Sequence, residues 1–328
     1  TENLGYTFGG WTGFTVTNQN PYTFTMPEQT VNFTANFDRI SYTIAATAGL
    51  GGTITPSGNV SVFYGENQPF LIAPNQGYSI ADVIVDGESQ GAITEFVFTD
   101  VTQNHQISAQ FTINTYSIAA TVNPTNSGSI QGLGSGIFNY GETAELVAIP
   151  STGYSFLAWT EGGETISINT TYSFTVSSDR ILVANFQIND YDVTAIANPI
   201  NAGTVEGAGT YNFGTEVSLT ATENTGYEFV NWTNAESEIV STSSTYVFNM
   251  PATNVALTAN FALTGFVVDV AVNPTGAGTV EGAGTYNFGT EVSLTATANT
   301  GYEFMNWTNA QSEIVSTSST YVFNMPAT

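Results

Sequence analysis

The sequence predicts an all-β fold, built as a tandem array of modules stacked end to end as a rod. Three observations carry that prediction. First, the stretch Gly226-Tyr-Glu-Phe-Val-Asn-Trp232 returns at Gly301–Trp307, Gly153–Trp159 and Gly5–Trp11, with a worn copy at Gly77–Val83 in which Val83 takes the Trp place. Second, the aromatic residues that open successive repeats, Tyr42, Tyr116, Tyr191 and Phe266, stand 74, 75 and 75 residues apart. Third, apolar residues alternate with period two, no segment carries the i, i+3, i+4 stripe of a helix, and the abundant Thr, Asn and Gly are poor helix formers.

Taken in order, Thr1-Glu-Asn-Leu-Gly-Tyr6 matches Thr222-Glu-Asn-Thr-Gly-Tyr227, so the chain opens inside a repeat. The expected domains are 1–37 (the C-terminal part of a repeat), 42–111, 116–186 (Trp-containing), 191–261, and 266–328, which lacks a last strand. The sequence thus reads as a window on a longer array. The fourth repeat shows the pattern of about six strands. Tyr191–Ala197 alternates as a half-buried strand, and Asn198-Pro199 ends it. Gly203–Tyr211 is a short Gly-edged strand, followed by a turn at Asn212–Gly214. Glu216–Thr222 alternates again, Asn224–Gly226 turns the chain, and Tyr227–Trp232 follows. Thr245–Met250 is the fifth strand, stopped by Pro251, and Val255–Phe261 is the sixth. Asn234–Ile239 is the one place where a helical turn is allowed.

A repeat of this size buries only ~60–65% of its unfolded surface, so contacts with its neighbours are expected to help. Four-residue linkers, 38–41, 112–115, 187–190 and 262–265, each hold an Ile or Leu and restrict swing more than a Gly/Ser tether would. With modules roughly 30 Å across, the window would be a rod on the order of 130–160 Å.

Composition narrows the function. Net charge is −25, although only 9% of residues are charged. There is no Lys, and Arg39 and Arg180 are the cations besides a single His105. Such a surface repels phosphate backbones and anionic lipid, which argues against nucleic-acid partners and membrane binding. No apolar run is long enough to cross a bilayer. The absence of Cys excludes disulfides and thiolate metal sites, and the absence of Lys excludes Lys–Asn cross-links. With 41% hydrophobic and 13% aromatic residues the chain can build packed cores.

The composite pattern resembles a bacterial repeat domain, the divergent InlB B-repeat. It runs from an opening Y-x-I/V-x-A, through the G-Y-x-F-x-x-W stretch, to a closing L-x-A-N-F, and covers essentially the whole chain. The second repeat departs most, at Val83 and at Val85-Asp-Gly87. The resemblance implies secreted or cell-surface bacterial proteins in which such modules serve as stalks or adhesive arrays, and it implies no catalytic chemistry. The fourth and fifth repeats differ at only three places between Gly203–Thr253 and Gly278–Thr328: Glu223/Ala298, Val230/Met305 and Glu236/Gln311. Duplication of that kind suits spacers and multivalent binders better than enzymes.

Candidate site residues are few. Trp11, Trp159, Trp232 and Trp307 would be glycan-stacking platforms if exposed, the last three being the candidates carried forward, and core residues if buried; the Val83 substitution favours the core. Asp82 with Asp86, and Asp190 with Asp192, are the acid clusters best placed for calcium, although neither recurs in every repeat or fits a Ca²⁺ loop. No other cofactor is expected. His105 has no partner evident in the sequence and reads as a surface residue. Gly132–Gly136 lacks a Lys and a following helix, so it reads as a turn and not a phosphate cradle. Alternating Thr, as in Val217–Thr222, is explained by strand propensity as well as by any flat binding face. The expected role is a non-catalytic stalk or fibre segment of a bacterial cell-surface adhesin or extracellular filament. Its partners would be neighbouring repeats, and then surface glycans or other copies of itself. The alternative is a multivalent glycan-binding or self-assembling filament module.

Overall fold

The computed structural model describes residues 3–326; the expected domain ends at Thr1 and Thr328 lie outside the described residues. Every regular element among them is a strand, and the Asn234–Ile239 segment is a turn, not a helix. The Asn234 Oδ1 accepts from the Glu236 and Glu238 amides, and Ser237 adopts φ +65°. By packing, the chain divides into two compact units. One comprises Thr1–Asn123, Ser129–Ile149 and Leu157–Asn185, and the other Pro124–Gly128, Pro150–Phe156 and Phe186–Thr328.

The complete repeats each contain eight strands in two sheets, rather than about six. In the fourth repeat the larger sheet runs, in spatial order, Gly209–Asn212, Asp190–Asn198, Val255–Leu263, Tyr227–Thr233, Ile239–Ser241. The smaller runs Gly203–Glu206, Glu216–Glu223, Thr245–Asn249. The second and third repeats have the same two orders. Two features raise the count. A short hairpin strand at Ile239–Ser241 follows the Trp strand, and the stretch expected as one strand, Gly203–Tyr211, is two. It breaks at Gly207 (φ +93°), where a Cβ would collide with the Ser218 carbonyl oxygen, so the chain crosses there from one sheet to the other.

The last strand of each complete repeat is the central strand of the larger sheet. Val255–Leu263 lies parallel to the opening strand, with Val193 opposite Val255 and Asn198 opposite Asn260. On its other side it lies antiparallel to the Trp strand, with Trp232 opposite Ala259 and Tyr227 opposite Leu263. A bulge leaves Val230 as the extra residue. Asn260 fills the bulge: its Nδ2 donates to Asn231 Oδ1 at 2.9 Å and Thr233 Oγ1 at 3.1 Å. Asn185 makes the corresponding bond to Thr160 Oγ1, and Asn36 to Thr12 Oγ1.

Burial follows the alternation. Leu257, Ala259 and Phe261 point inward from the central strand to meet Val217, Leu219 and Ala221 of the smaller sheet, with Trp232 and Met250 between them. The second repeat fills the same space with Phe70, Ile107 and Val83, so a Val replaces the Trp at the centre. Each such side chain contributes roughly 1.5–3 kcal/mol on burial.

Candidate functional site

Strand runs almost without interruption from one repeat into the next. The linkers expected to span four residues reduce to one: Ile40, Asn114, Asn189 and Thr264 each stand alone between a closing and an opening strand. Each of these residues is held on both sides. Its amide donates to the carbonyl of the Gly that begins the preceding repeat's Gly-Tyr stretch, at 2.8–2.9 Å to Gly5, Gly77, Gly153 and Gly226. Its carbonyl accepts from the amide of an aromatic residue in the following repeat: Tyr64, Tyr140, Phe213 and Phe288, at 2.8–3.1 Å.

The aromatic ring then lies on the same glycine. A Cβ on Gly77, Gly153 or Gly226 would run into the ring of Tyr140, Phe213 or Phe288, and one on Gly5 would come within 3.0 Å of Tyr64. All four glycines have φ between +80° and +84°, a region that other residues enter only with strain. Glycine is therefore required twice at each junction, by backbone conformation and by the approach of the ring. Two junctions add a side-chain bond, from Ser79 Oγ to Asn114 Oδ1 and from Ser155 Oγ to Asn189 Oδ1. The sequence signal lay in the recurrence of the Gly-Tyr pair and of a later aromatic 59–63 residues on, but nothing in one sequence says that the two belong to neighbouring repeats.

The candidate stacking rings are not platforms. Trp159 and Trp232 are fully buried and Trp307 is 9% exposed. Their Nε1 groups donate to the carbonyls of Thr170, Ser244 and Ser318. An indole closed into the core on both faces has none to offer a sugar, which removes the glycan-stacking reading of these three residues.

The acid clusters serve local structure. Asp82 Oδ1 accepts from Ser89 Oγ and the Gly91 amide, and Asp192 Oδ1 accepts from Thr210 Oγ1. Asp190 pairs through its backbone with Asn212. Asp86 lies at φ +51° in a hairpin turn; its carboxylate meets His105 Nδ1 at 2.6 Å and accepts from the Gln106 amide. Among the described residues no three His, Asp or Glu side chains come together as a metal site would need.

His105 is thus neither alone nor a surface residue. Its side chain is 17% exposed, and its ring lies 4.8 Å from that of Phe98. Burial pushes the Asp86 carboxyl up, but the His105 hydrogen bond, the Gln106 amide and the imidazole charge together hold it below the ordinary aspartate value.

The two arginines are spent in the same way. Arg180 grips Glu161 through Nε (3.0 and 3.2 Å) and Nη2 (2.6 Å), reaches the Tyr172 hydroxyl at 3.3 Å, and lies 4.2 Å above the Phe174 ring. The Arg180 hydrogen bond holds the Glu161 carboxyl below its usual range against the opposing effect of burial. Glu161 in turn raises the guanidinium's pKa. Arg39 bonds Glu66 at 2.6 Å and sits 3.9 Å above Phe63. Each cation in this chain therefore rests on a ring beside a carboxylate.

The divergent InlB B-repeat domain matches residues 1–41, 42–115, 118–190, 191–265 and 268–328. The chain belongs to that family. Its five B-repeats share the two-sheet plan as far as each is present, and their matched boundaries fall at or near the single-residue junctions. No curated protein matches the sequence. Among solved structures the Bacillus anthracis TIE protein is similar over 99% of this chain and 73% of its own, at 10% identity and a TM-score of 0.35.

Proposed function

We propose that this chain is a non-catalytic spacer of a bacterial cell-surface protein, a stalk whose reach grows with repeat number and whose stiffness is set at its junctions. The observation that carries this reading is the fourfold recurrence of one junction: a single linking residue, two backbone hydrogen bonds and a ring seated on a positive-φ glycine. Flexible tethers between beads need none of these. The side chains that would most readily have served catalysis or ligand binding support the same reading. His105, Asp86, Glu161 and both arginines are tied into structural pairs, and the Trp159, Trp232 and Trp307 rings are interior. Family membership supports a bacterial surface setting, and a surface with net charge −25 and few charged groups suits an extended segment that must stay soluble.

Negative-stain electron microscopy of the purified segment tests the proposal. Separate rods of roughly 150 Å with a narrow length distribution are expected, from domain-size scaling. The double variant Gly153→Ala/Gly226→Ala should broaden that distribution. Wild-type particles that scatter like beads on a string would overturn the stalk reading, and long continuous fibres would replace it with filament assembly.

A further inference from the structure

The start of the closing strand offers a comparison among three repeats. Parallel register places His105 opposite Ile44, Arg180 opposite Ile118 and Val255 opposite Val193, so these three occupy one structural position. Beside it, each repeat presents a pair of close rings on a strand of the smaller sheet: Phe96 and Phe98 at 4.9 Å, Tyr172 and Phe174 at 5.2 Å, Tyr246 and Phe248 at 5.1 Å. In the second repeat the His105 ring fills the cradle and is tied to Asp86; in the third the Arg180 guanidinium fills it and is tied to Glu161.

The fourth repeat keeps the rings but has the short Val255 in the cation's place. A concavity of about 570 Å³ remains, lined by Tyr246, Phe248, Val255, Asn254, Asn234 and Glu236. Glu236 is exposed at its rim, and Asn234 stands in the register position of Glu161. An aromatic ring with a carboxylate beside it is the setting that every cation of this chain occupies, Arg39 over Phe63 beside Glu66 included, and the stacked Tyr246–Phe248 pair matches the Tyr172–Phe174 pair that holds Arg180. Planar guanidinium suits it best, because it stacks on a ring face and bonds a carboxylate at once.

We propose that the Tyr246–Phe248 cradle of the fourth repeat binds an arginine side chain presented by a partner protein, in the position that Arg180 fills from within in the third repeat. Among the described residues no Arg or Lys is left to fill it: the sequence holds no Lys, and both Arg39 and Arg180 are already engaged. The strongly negative chain also draws a basic partner towards it. Neighbouring repeats therefore differ in one residue's consequence, a cradle closed in cis or open in trans.

The test is methyl NMR on the full chain, following Val240 and Leu257, which also line the concavity, during titration with a Gly/Ser peptide carrying one arginine. Saturable shifts at both methyls are expected. The matching citrulline peptide, equal in shape but uncharged, should bind about tenfold more weakly or worse. Val255→Arg supplies the guanidinium in cis and should abolish the response, and Glu236→Gln should weaken it about threefold by removing the rim charge. The proposal is overturned by equal response to citrulline, by undiminished binding in a natively folded V255R, or by tighter binding of the corresponding lysine peptide. Should V255R fail to fold, the citrulline and Glu236→Gln arms decide: a response to neither change also overturns it.

Discussion

The fourth and fifth repeats have nearly the same sequence from Gly203 and Gly278 onward, yet they are built to different extents. Their three-stranded sheets are the same: Val217 faces Phe248 as Val292 faces Phe323, and Glu216 faces Asn249 as Glu291 faces Asn324. Their larger sheets are not. The fourth repeat has five strands in one sheet, whereas the fifth has two separate pairs, Gly265–Val268 with Gly284–Asn287 and Trp307–Thr308 with Ile314–Ser316. The fifth repeat, as given, holds no counterpart of Val255–Leu263, the strand that occupies the middle of the sheet. Without it the Trp strand shortens from Tyr227–Thr233 to Trp307–Thr308, Tyr302 rises to 53% exposure, and Met305 is 69% exposed where Val230 is 43%. The smaller sheet is thus assembled from local pairings, and the larger one depends on the residues farthest along the repeat. Nucleation within a repeat should follow that order, since distant pairings carry the larger loop-closure cost.

The largest test removes the Trp at the centre of each copy. Trp232 is fully buried and pairs with Ala259 of the central strand, so Trp232→Ala should cost ~3–5 kcal/mol in local unfolding free energy, in the range of large core truncations. Trp307→Ala should cost clearly less, because the central strand that packs beside Trp232 has no counterpart there. Hydrogen exchange of the Ser218 and Ser293 amides reads the two repeats separately. Equal losses would mean that the central strand adds little to the core, and the comparison would fail.

A smaller effect isolates the junction. Gly226 and Gly301 have nearly the same conformation, φ +84° and +89°, but Gly226 lies under the Phe288 ring while Gly301 has nothing within 4 Å of where a Cβ would stand. Replacing either by Ala carries the same backbone strain of ~1–2 kcal/mol. The difference between them is the ring, and Gly226→Ala should exceed Gly301→Ala by a further ~1–3 kcal/mol, the usual scale of overpacking. Pairing Gly226→Ala with Phe288→Ala should recover most of that excess, and a thermal or denaturant cycle would measure it.

These contrasts also show what a single sequence exposes. Alternation in Glu216–Glu223 and Val255–Leu263 declared both as strands, and the Gly-Tyr-Glu-Phe-Val-Asn-Trp copies declared the period, because period-two burial is written directly into residue order. Sheet membership is not written that way. Whether Val255–Leu263 lies at an edge or in the middle depends on pairings about 60 residues apart, such as Val193 with Val255, and the alternation is compatible with either. The break at Gly207 was hidden for a similar reason: a glycine in a strand marks a bend only when its partner strands are known. The His105 pair with Asp86 and the Arg180 clamp were invisible in spacing, although a chain so poor in cations and rich in acids gives every cation a partner to find.

The Asn260 side chain provides a finer adjustment of the fourth repeat toward the fifth. It bridges the bulge to Asn231 and Thr233 and accepts from Asn198 Nδ2 at 3.2 Å, so it ties the central strand to both neighbours. Asn260→Ala should cost ~1–2 kcal/mol, since it leaves partly buried polar groups unpaired. Amide exchange in Tyr227–Thr233 should accelerate toward the rate of the equivalent fifth-repeat segment, while the Glu216–Glu223 amides hold. Uniform acceleration in both sheets would show that the two are not separable units.

The smallest expected effect is on acidification, and it should leave the fourth and fifth repeats together while separating both from the third. Arg180 holds Glu161 below its ordinary pKa of 4.5, chiefly by direct hydrogen bonding. A carboxylate with a lowered folded pKa contributes its full stabilisation above the unfolded value and loses it as pH falls through the folded one. Glu161 keeps a side-chain exposure of 34%, so solvent screening limits the loss to a few tenths of a kcal/mol. The Asp86–His105 pair gives the second repeat a dependence of the same sign. The fourth and fifth repeats hold no ion pair among the described residues. Hydrogen exchange from about pH 6 down to about pH 3, corrected for intrinsic rates, should therefore show slightly weakened protection around Arg180–Ile188 and His105–Ile113 and none attributable to carboxylate pairing in Glu216–Glu223 or Glu291–Ala298. If Glu161→Gln abolishes the third repeat's acid response, the clamp is its source. If the response persists, the Arg180 clamp is not what sets the third repeat apart from the two that follow it.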